Sequence, residues 1–228
     1  MHITVNEIKK DPKIAALIDS ANRMLEAIGY TEHGPRHVGF VSATAGRILS
    51  ELGFPQRDCQ LAAIAGWVHD VGNAVNRLNH GISGGVLLFP LLLETGLPIE
   101  EVTAIVGAVG NHEEQNGKVI SALSAALVIA DKADAHRTRV RRMPYNAADI
   151  HDRVNYSIGS NQVEVDAQRR EIRIQISMDE TSSVMDFLEI YLSRMLMCEE
   201  AAGFLGCRFQ LVVNGVLINR QGQKRAEA

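Results

Sequence analysis

The sequence predicts a mainly α-helical bundle over residues 1–150, followed by a small C-terminal α+β domain, ordered ββαββ, over residues 155–220. Three observations predict it. Apolar residues recur every three or four positions through the first part of the chain, the period of helices with one buried face. Beyond Asn155 they alternate with polar residues, the two-residue period of half-buried strands. Gly or Pro marks the end of several of these segments, as at Gly29, Gly53, Pro55 and Gly72.

Asp11-Pro12 reads as an N-cap with proline at the first helical position, and Ile14, Leu17, Ile18, Ala21, Met24, Leu25 and Ile28 form the stripe that follows, ended by Gly29. Gly34-Pro35 opens a second helix through Val38, Val41, Ala45 and Ile48, which stops near Gly53-Phe54-Pro55. A third runs from about Arg57 to Val71 and closes at Gly72. Further helices are expected from about Gly81 to Glu94, from Pro98 to Val109 with acids suited to the dipole at its start, and from Ala122 to about Arg142. In the C-terminal part, Val163 and Val165 face Ile172, Ile174 and Ile176 across a turn at 166–170. A helix follows from Val184 and is ended by Gly203. Asn214-Gly215 then joins Phe209–Val213 to Val216–Ile218, because both central positions of a type I′ turn need positive φ.

Composition removes several classes. Of 228 residues, 46% are hydrophobic and 22% charged, the balance of a globular protein rather than a disordered or fibrous one. Lys plus Arg is 23 and Asp plus Glu 27, so 23 − 27 = −4, which gives no broad nucleic-acid or membrane-binding surface. The longest apolar stretch, Gly85–Leu93, is too short to span a bilayer, and the N-terminus lacks a signal-peptide pattern, so a cytoplasmic location is expected. The odd, scattered Cys59, Cys198 and Cys207 do not form a disulfide framework. Whether the chain forms a homo-oligomer is left open.

Eight histidines are the unusual count. His37, the pair His69-Asp70, His80, His112 and Asp131 each lie on or at the end of an expected helix, and in a bundle such side chains can converge on one interior point. A single histidine in an apolar run is more often a satisfied core residue. An aspartate beside it, or Asp131 after the apolar run Ala125–Ala130, is costly to bury unless paired or metal-bound. Imidazole nitrogen with carboxylate oxygen suits Mn, Fe, Ni, Co or Zn, and less clearly Mg.

The ordered set His37 … His69-Asp70 … Asp131 resembles the H…HD…D signature of the HD superfamily of metal-dependent phosphohydrolases. Trp67-Val68-His69-Asp70-Val71-Gly72 and Ile129-Ala130-Asp131-Lys132-Ala133-Asp134-Ala135 are similar to its local elements, and the likeness spans about residues 30–142. It implies one divalent metal held by His37, His69, Asp70 and Asp131. His80, and His112-Glu113 with Asn111 in place of a first histidine, resemble the additional positions of two-metal members. They imply a second ion on His80 and His112 bridged by Asp70. The resemblance further implies His69 and Asp70 as catalytic residues, Asp70 positioning the attacking water. The expected substrate is a small phosphorylated molecule, a nucleotide among the candidates. Alternatives are a di-iron oxygenase on the same fold and a non-catalytic nucleotide or metal sensor.

Asn73 stands where the family often has lysine, three residues after the HD aspartate. The phosphate-binding charge is therefore expected from Arg36, Lys132 or Arg77, or from the basic run Arg137, Arg139, Arg141 and Arg142, where 137 and 141 would share a helix face. The elements that mark cyclic-di-GMP and alarmone hydrolases are absent. His33 is expected to precede its helix, as a loop or substrate-facing residue.

Overall fold

A computed structural model describes residues 2–141 and 144–219, so Arg142 and position 220 lie outside the described residues. The N-terminal part is a helical bundle: α1 (Val5–Ile8), α2 (Pro12–Ala27), α3 (Pro35–Glu51), α4 (Gln56–Val68), α5 (His80–Glu94), α6 (Ile99–Gly110) and α7 (Ala122–Ala133). A linking helix, α8 (Ile150–Ser157), leads into β1 (Ile158–Asp166), β2 (Glu171–Met178), α9 (Val184–Phe204), β3 (Arg208–Val213) and β4 (Val216–Leu217).

Local chemistry starts these helices as the sequence predicts. The Asp11 carboxylate accepts from the backbone N–H of Lys13 and Ile14 at 2.8 and 3.1 Å, with Pro12 in the first turn of α2. Ser121 caps α7 by accepting from Ser124 N–H at 3.1 Å. The α3 stripe Val38, Val41, Ala45, Ile48 and Leu49 is buried against α4 and α7. At Gly66 of α4, a Cβ would lie 2.8 Å from the Ser42 Cα of α3. Glycine therefore lets these two helices close until His37 and His69 meet.

Two helices end earlier than the sequence predicts, and both ends shape the site. The third helix was expected to reach Val71, but α4 stops at Val68; Val71–Ala74 is a 3-10 turn. On a continuous helix, adjacent side chains would diverge by about 100°; ending it lets His69 and Asp70 both face inward. Gly72 permits the bend, because a Cβ there would overlap the carbonyl oxygen of His80. The helix expected to run from Ala122 to Arg142 ends at Ala133. Its final carbonyls are taken by side chains: Asn161 Nδ2 donates to Ala133 O, and Arg139 Nη1 donates to Asp134 O at 2.7 Å. Arg137–Arg139 form only a 3-10 turn, so Arg137 and Arg141 do not share a helix face. The sequence reading did not foresee α1 or α8, although Asp149 caps α8 through the His151 N–H at 2.9 Å.

The C-terminal sheet has the order β1-β2-β3-β4. β1 pairs with β2 and β3 with β4 antiparallel, while β2 and β3 are parallel, the pairing a helical crossover such as α9 allows. Asn214 and Gly215 adopt φ of 50° and 79° in the last hairpin. Ile172, Ile174, Ile176, Phe209 and Leu211 join Phe187, Tyr191, Met195 and Cys198 of α9 in an apolar core continuous with that of the bundle. α9 packs along α7, the helix that carries Asp131 and Lys132. The three cysteines are free and buried. Among the described residues no helix is long and apolar enough to cross a membrane.

Candidate metal centre

His37 comes from the first turn of α3, His69 and Asp70 from the end of α4, His80 from the start of α5, His112 from just beyond α6, and Asp131 from the last turn of α7. All four imidazoles and Asp70 are buried. Every one of these histidines has its Nδ1 against an acceptor. His37 Nδ1 donates to Asp134 Oδ2 at 2.6 Å, His69 Nδ1 to Gly66 O at 3.0 Å and His112 Nδ1 to Val109 O at 2.6 Å. His80 Nδ1 lies 3.0 Å from Arg77 O and 3.1 Å from Glu113 Oε2. Carbonyl and carboxylate oxygens only accept, so Nδ1 carries the proton and Nε2 points into the cluster.

The Nε2 atoms form two pairs, His37 with His69 at 3.2 Å and His80 with His112 at 3.1 Å. Asp70 lies between them. Its Oδ2 is 3.5 Å from both His37 and His69 Nε2, and its Oδ1 is 3.2 Å from His80 and 4.0 Å from His112 Nε2. Asp131 Oδ1 adds to the first pair at 3.4 and 3.5 Å. Asp70 Oδ2 is buried with no hydrogen-bond donor among the described residues, an orphaned anionic oxygen. Four inward imidazole nitrogens and two carboxylates, one with a bare oxygen, are the donor set of a divalent transition metal, and this cluster can hold one.

The electrostatics agree. Burial opposes charge on His37, yet Asp131, Asp134 and Asp70 hold its pKa up at about 10. His80, similarly buried, is held at about 9 by Asp70 and Glu113. His112 is pushed down to about 3 by burial and by His80 and His69. The carboxyls of Asp70 and Asp131, despite burial, are held well below the usual range by the imidazoles and, for Asp131, by Lys132. The interior thus draws positive charge to two places.

Supporting groups fix the ligands. Asn73 Nδ2 donates to Asp70 Oδ1 at 2.9 Å, so the residue in the lysine position orients the aspartate. Glu113 Oε1 accepts from Gly81 N–H at 2.6 Å while Oε2 faces His80. Asp134, which the sequence reading did not single out as a site residue, holds His37 and is itself clamped by Arg36 Nη2 at 2.7 Å. Its place within the distal aspartate element was the only sequence signal. Asn111 turns back to Gly107 O at 3.0 Å.

Of the phosphate-binding candidates, Lys132 lines a small cavity over the cluster, with Nζ 2.8 Å from both Asp131 and Glu114. Arg77 lines it as well, as do Arg139 and His33, whose Nε2 accepts from Arg139 Nη2 at 2.8 Å. The other three arginines are engaged elsewhere. Arg36 is held by Glu32 and Asp134. Arg137 reaches Asp179 of the C-terminal part at 3.0 Å. Arg141 bonds to Tyr30 O at 2.9 Å and Asn22 Oδ1 at 2.6 Å. None of these three lines the cavity. Sequence reasoning missed Glu114 and Arg194, because their approach depends on packing between distant segments.

Fold and site together define a helical bundle enclosing a buried histidine–carboxylate cluster that could hold a metal ion, closed on one side by a small α+β unit. Among solved structures the chain is similar to a predicted HD superfamily hydrolase from an uncultured Thermotogales bacterium, with 22% sequence identity and a TM-score of 0.43, covering 59% of this chain and 75% of that one. No family model and no curated protein matches the chain.

Proposed function

We propose that the chain is a metal-dependent phosphohydrolase that cleaves a phosphoester of a small molecule. The observation that supports this most is Asp70, whose two oxygens each face a different histidine pair. His37, His69, Asp70 and Asp131 would hold one divalent ion; His80 and His112 would hold a second, with Asp70 shared. Such ions supply Lewis acidity toward a phosphoryl oxygen and lower the pKa of water.

The chain's own groups supply the rest. Asp70, braced by Asn73, positions the attacking water against the phosphorus. The cavity above is lined by Arg77, Lys132, Arg139 and Arg194 against Asp70, Asp131 and Glu114, so with its histidines neutral, as metal ligands are, 4 − 3 = +1. That balance favours an anionic substrate before any metal charge is added. Burial disfavours the Lys132 ammonium, but Asp131 and Glu114 keep it charged, and Glu114 itself, despite partial burial, is held down at about 2 by Lys132. A positive group therefore stays beside the reacting phosphoryl group. A second cavity of about 600 Å³ opens beyond, with space for the organic part of an ester as large as a nucleotide.

The test is phosphate release from a panel of phosphomonoesters, phosphodiesters and nucleotides by protein loaded in turn with Mn, Fe, Co, Ni and Zn. Release that disappears in Asp70→Asn supports the reading. No release from any ester, with oxygen uptake by the iron-loaded protein instead, would replace it with the oxygenase alternative.

A further inference from the structure

Among the described residues, the C-terminal unit lines the small cavity over the cluster with one side chain, Arg194. Arg194 projects from α9, and its guanidinium lines both the small cavity over the cluster and the larger one beyond it. Two features leave it available to a ligand. First, it is weakly engaged. Among the described residues the only acceptor at its guanidinium is Glu114 Oε1, 3.4 Å from Nε, a long contact to a carboxylate that Lys132 already holds at 2.8 Å. By contrast, Arg139 in the same cavity is committed at all three nitrogens, to Glu32 O, Asp134 O and His33 Nε2. Secondly, Arg194 rests on a fixed platform. Its guanidinium carbon sits 4.8 Å from the ring centre of Tyr191 one turn earlier, and Tyr191 is buried with its hydroxyl donating to Asn155 Oδ1 at 3.1 Å. A guanidinium stacked on a buried, hydrogen-bonded ring, with no acceptor at its two terminal nitrogens among the described residues, is pre-arranged for a fork of oxygens. From the bundle, Arg77 lines the same two cavities and is also loosely held, with Asn73 Oδ1 and His80 Nε2 both at 3.4 Å.

We propose that Arg194 is an anion-binding residue of the site: it and Arg77 grip the phosphoryl oxygens of the substrate, so the C-terminal unit is part of the binding site and not an appended module. This rests on the phosphohydrolase reading for the identity of the anion. It gives α9 a share in anion binding beside Arg77 of the helical bundle.

The experiment is calorimetric titration of inorganic phosphate into the Mn-loaded full chain, comparing wild type, Arg194→Ala and Arg194→Lys, with metal content measured in each sample. Loss of a charge-assisted fork is expected to weaken phosphate binding by about tenfold or more in Arg194→Ala. Metal content should stay at the wild-type level. Arg194→Lys keeps the charge but not the fork and should fall between the two. Equal phosphate affinity in wild type and Arg194→Ala would overturn the proposal, as would loss of metal in step with loss of phosphate, which would make Arg194 a structural support of the cluster. No phosphate binding by the wild type would overturn it as well. The titration reads binding without turnover. A metal-loaded protein that binds phosphate through Arg194 but cleaves no ester would therefore refute the hydrolase reading alone.

Discussion

Asp134 Oδ2 lies 2.6 Å from Nδ1 of His37, completing a carboxylate–histidine arrangement that turns Nε2 toward Asp70 and Asp131. Arg36 and Arg139 hold the same carboxylate, which is kept strongly ionised despite burial. Asp134→Asn preserves the shape and removes the charge. Outer partners of this kind typically contribute about 10–100-fold in metal affinity. Competition of the variant with a chelator should show a loss of that order, and an affinity equal to wild type would show that His37 needs no such partner.

Gly72 lies where the turn after Asp70 touches the first turn of α5. An added Cβ would overlap the His80 carbonyl oxygen, so Gly72→Ala must push the Asp70 turn and the His80 turn apart. Overpacking of a close-packed contact costs about 1–3 kcal/mol. The unfolding midpoint in denaturant should fall accordingly, and metal affinity should fall with it, because the displaced elements carry two ligands. A variant with wild-type stability would mean that the contact relaxes freely.

Far from the site, Arg57 ties the acidic start of α6 to the N-terminal segment, donating to both oxygens of Glu101 and to Ile3 O at 2.7 Å. The hydrogen bonds from Arg57 lower the Glu101 pKa. A carboxyl depressed in the folded state stabilises the protein above its unfolded pKa, about 4.3, and that contribution is lost as pH falls through the folded value. Glu101→Gln is therefore expected to cost about 1 kcal/mol at pH 7. The gap between variant and wild type should narrow below about pH 4. A difference in unfolding free energy that is independent of pH would contradict the ion pair.

The sequence exposes most of the bundle because its helices begin and repeat by local rules: Asp11-Pro12, Gly34-Pro35 and the apolar stripes need no tertiary information. The end of α7 does not follow local rules. Nothing near Ala133 stops a helix; Asn161 and Arg139 do so by taking its carbonyls. Extending that helix in the reading placed Arg137 and Arg141 on an imagined face, whereas both serve as braces elsewhere. The clustering of His37, His69, Asp70, His80, His112 and Asp131 is legible because an ordered pattern carries it. Glu114 and Arg194 are 80 residues apart and meet only through the packing of α9 on α7, so no spacing reveals them.

The metal centre itself is tested most directly by the metal content of purified wild type, His69→Ala and Asp70→Ala after equilibration with Mn and removal of free ion. Asp70 has an oxygen toward each histidine pair. Asp70→Ala should therefore lose essentially all bound metal, with the helical circular dichroism retained, and His69→Ala should lose at least the ion at the His37 side. Wild-type metal content in Asp70→Ala would contradict the account.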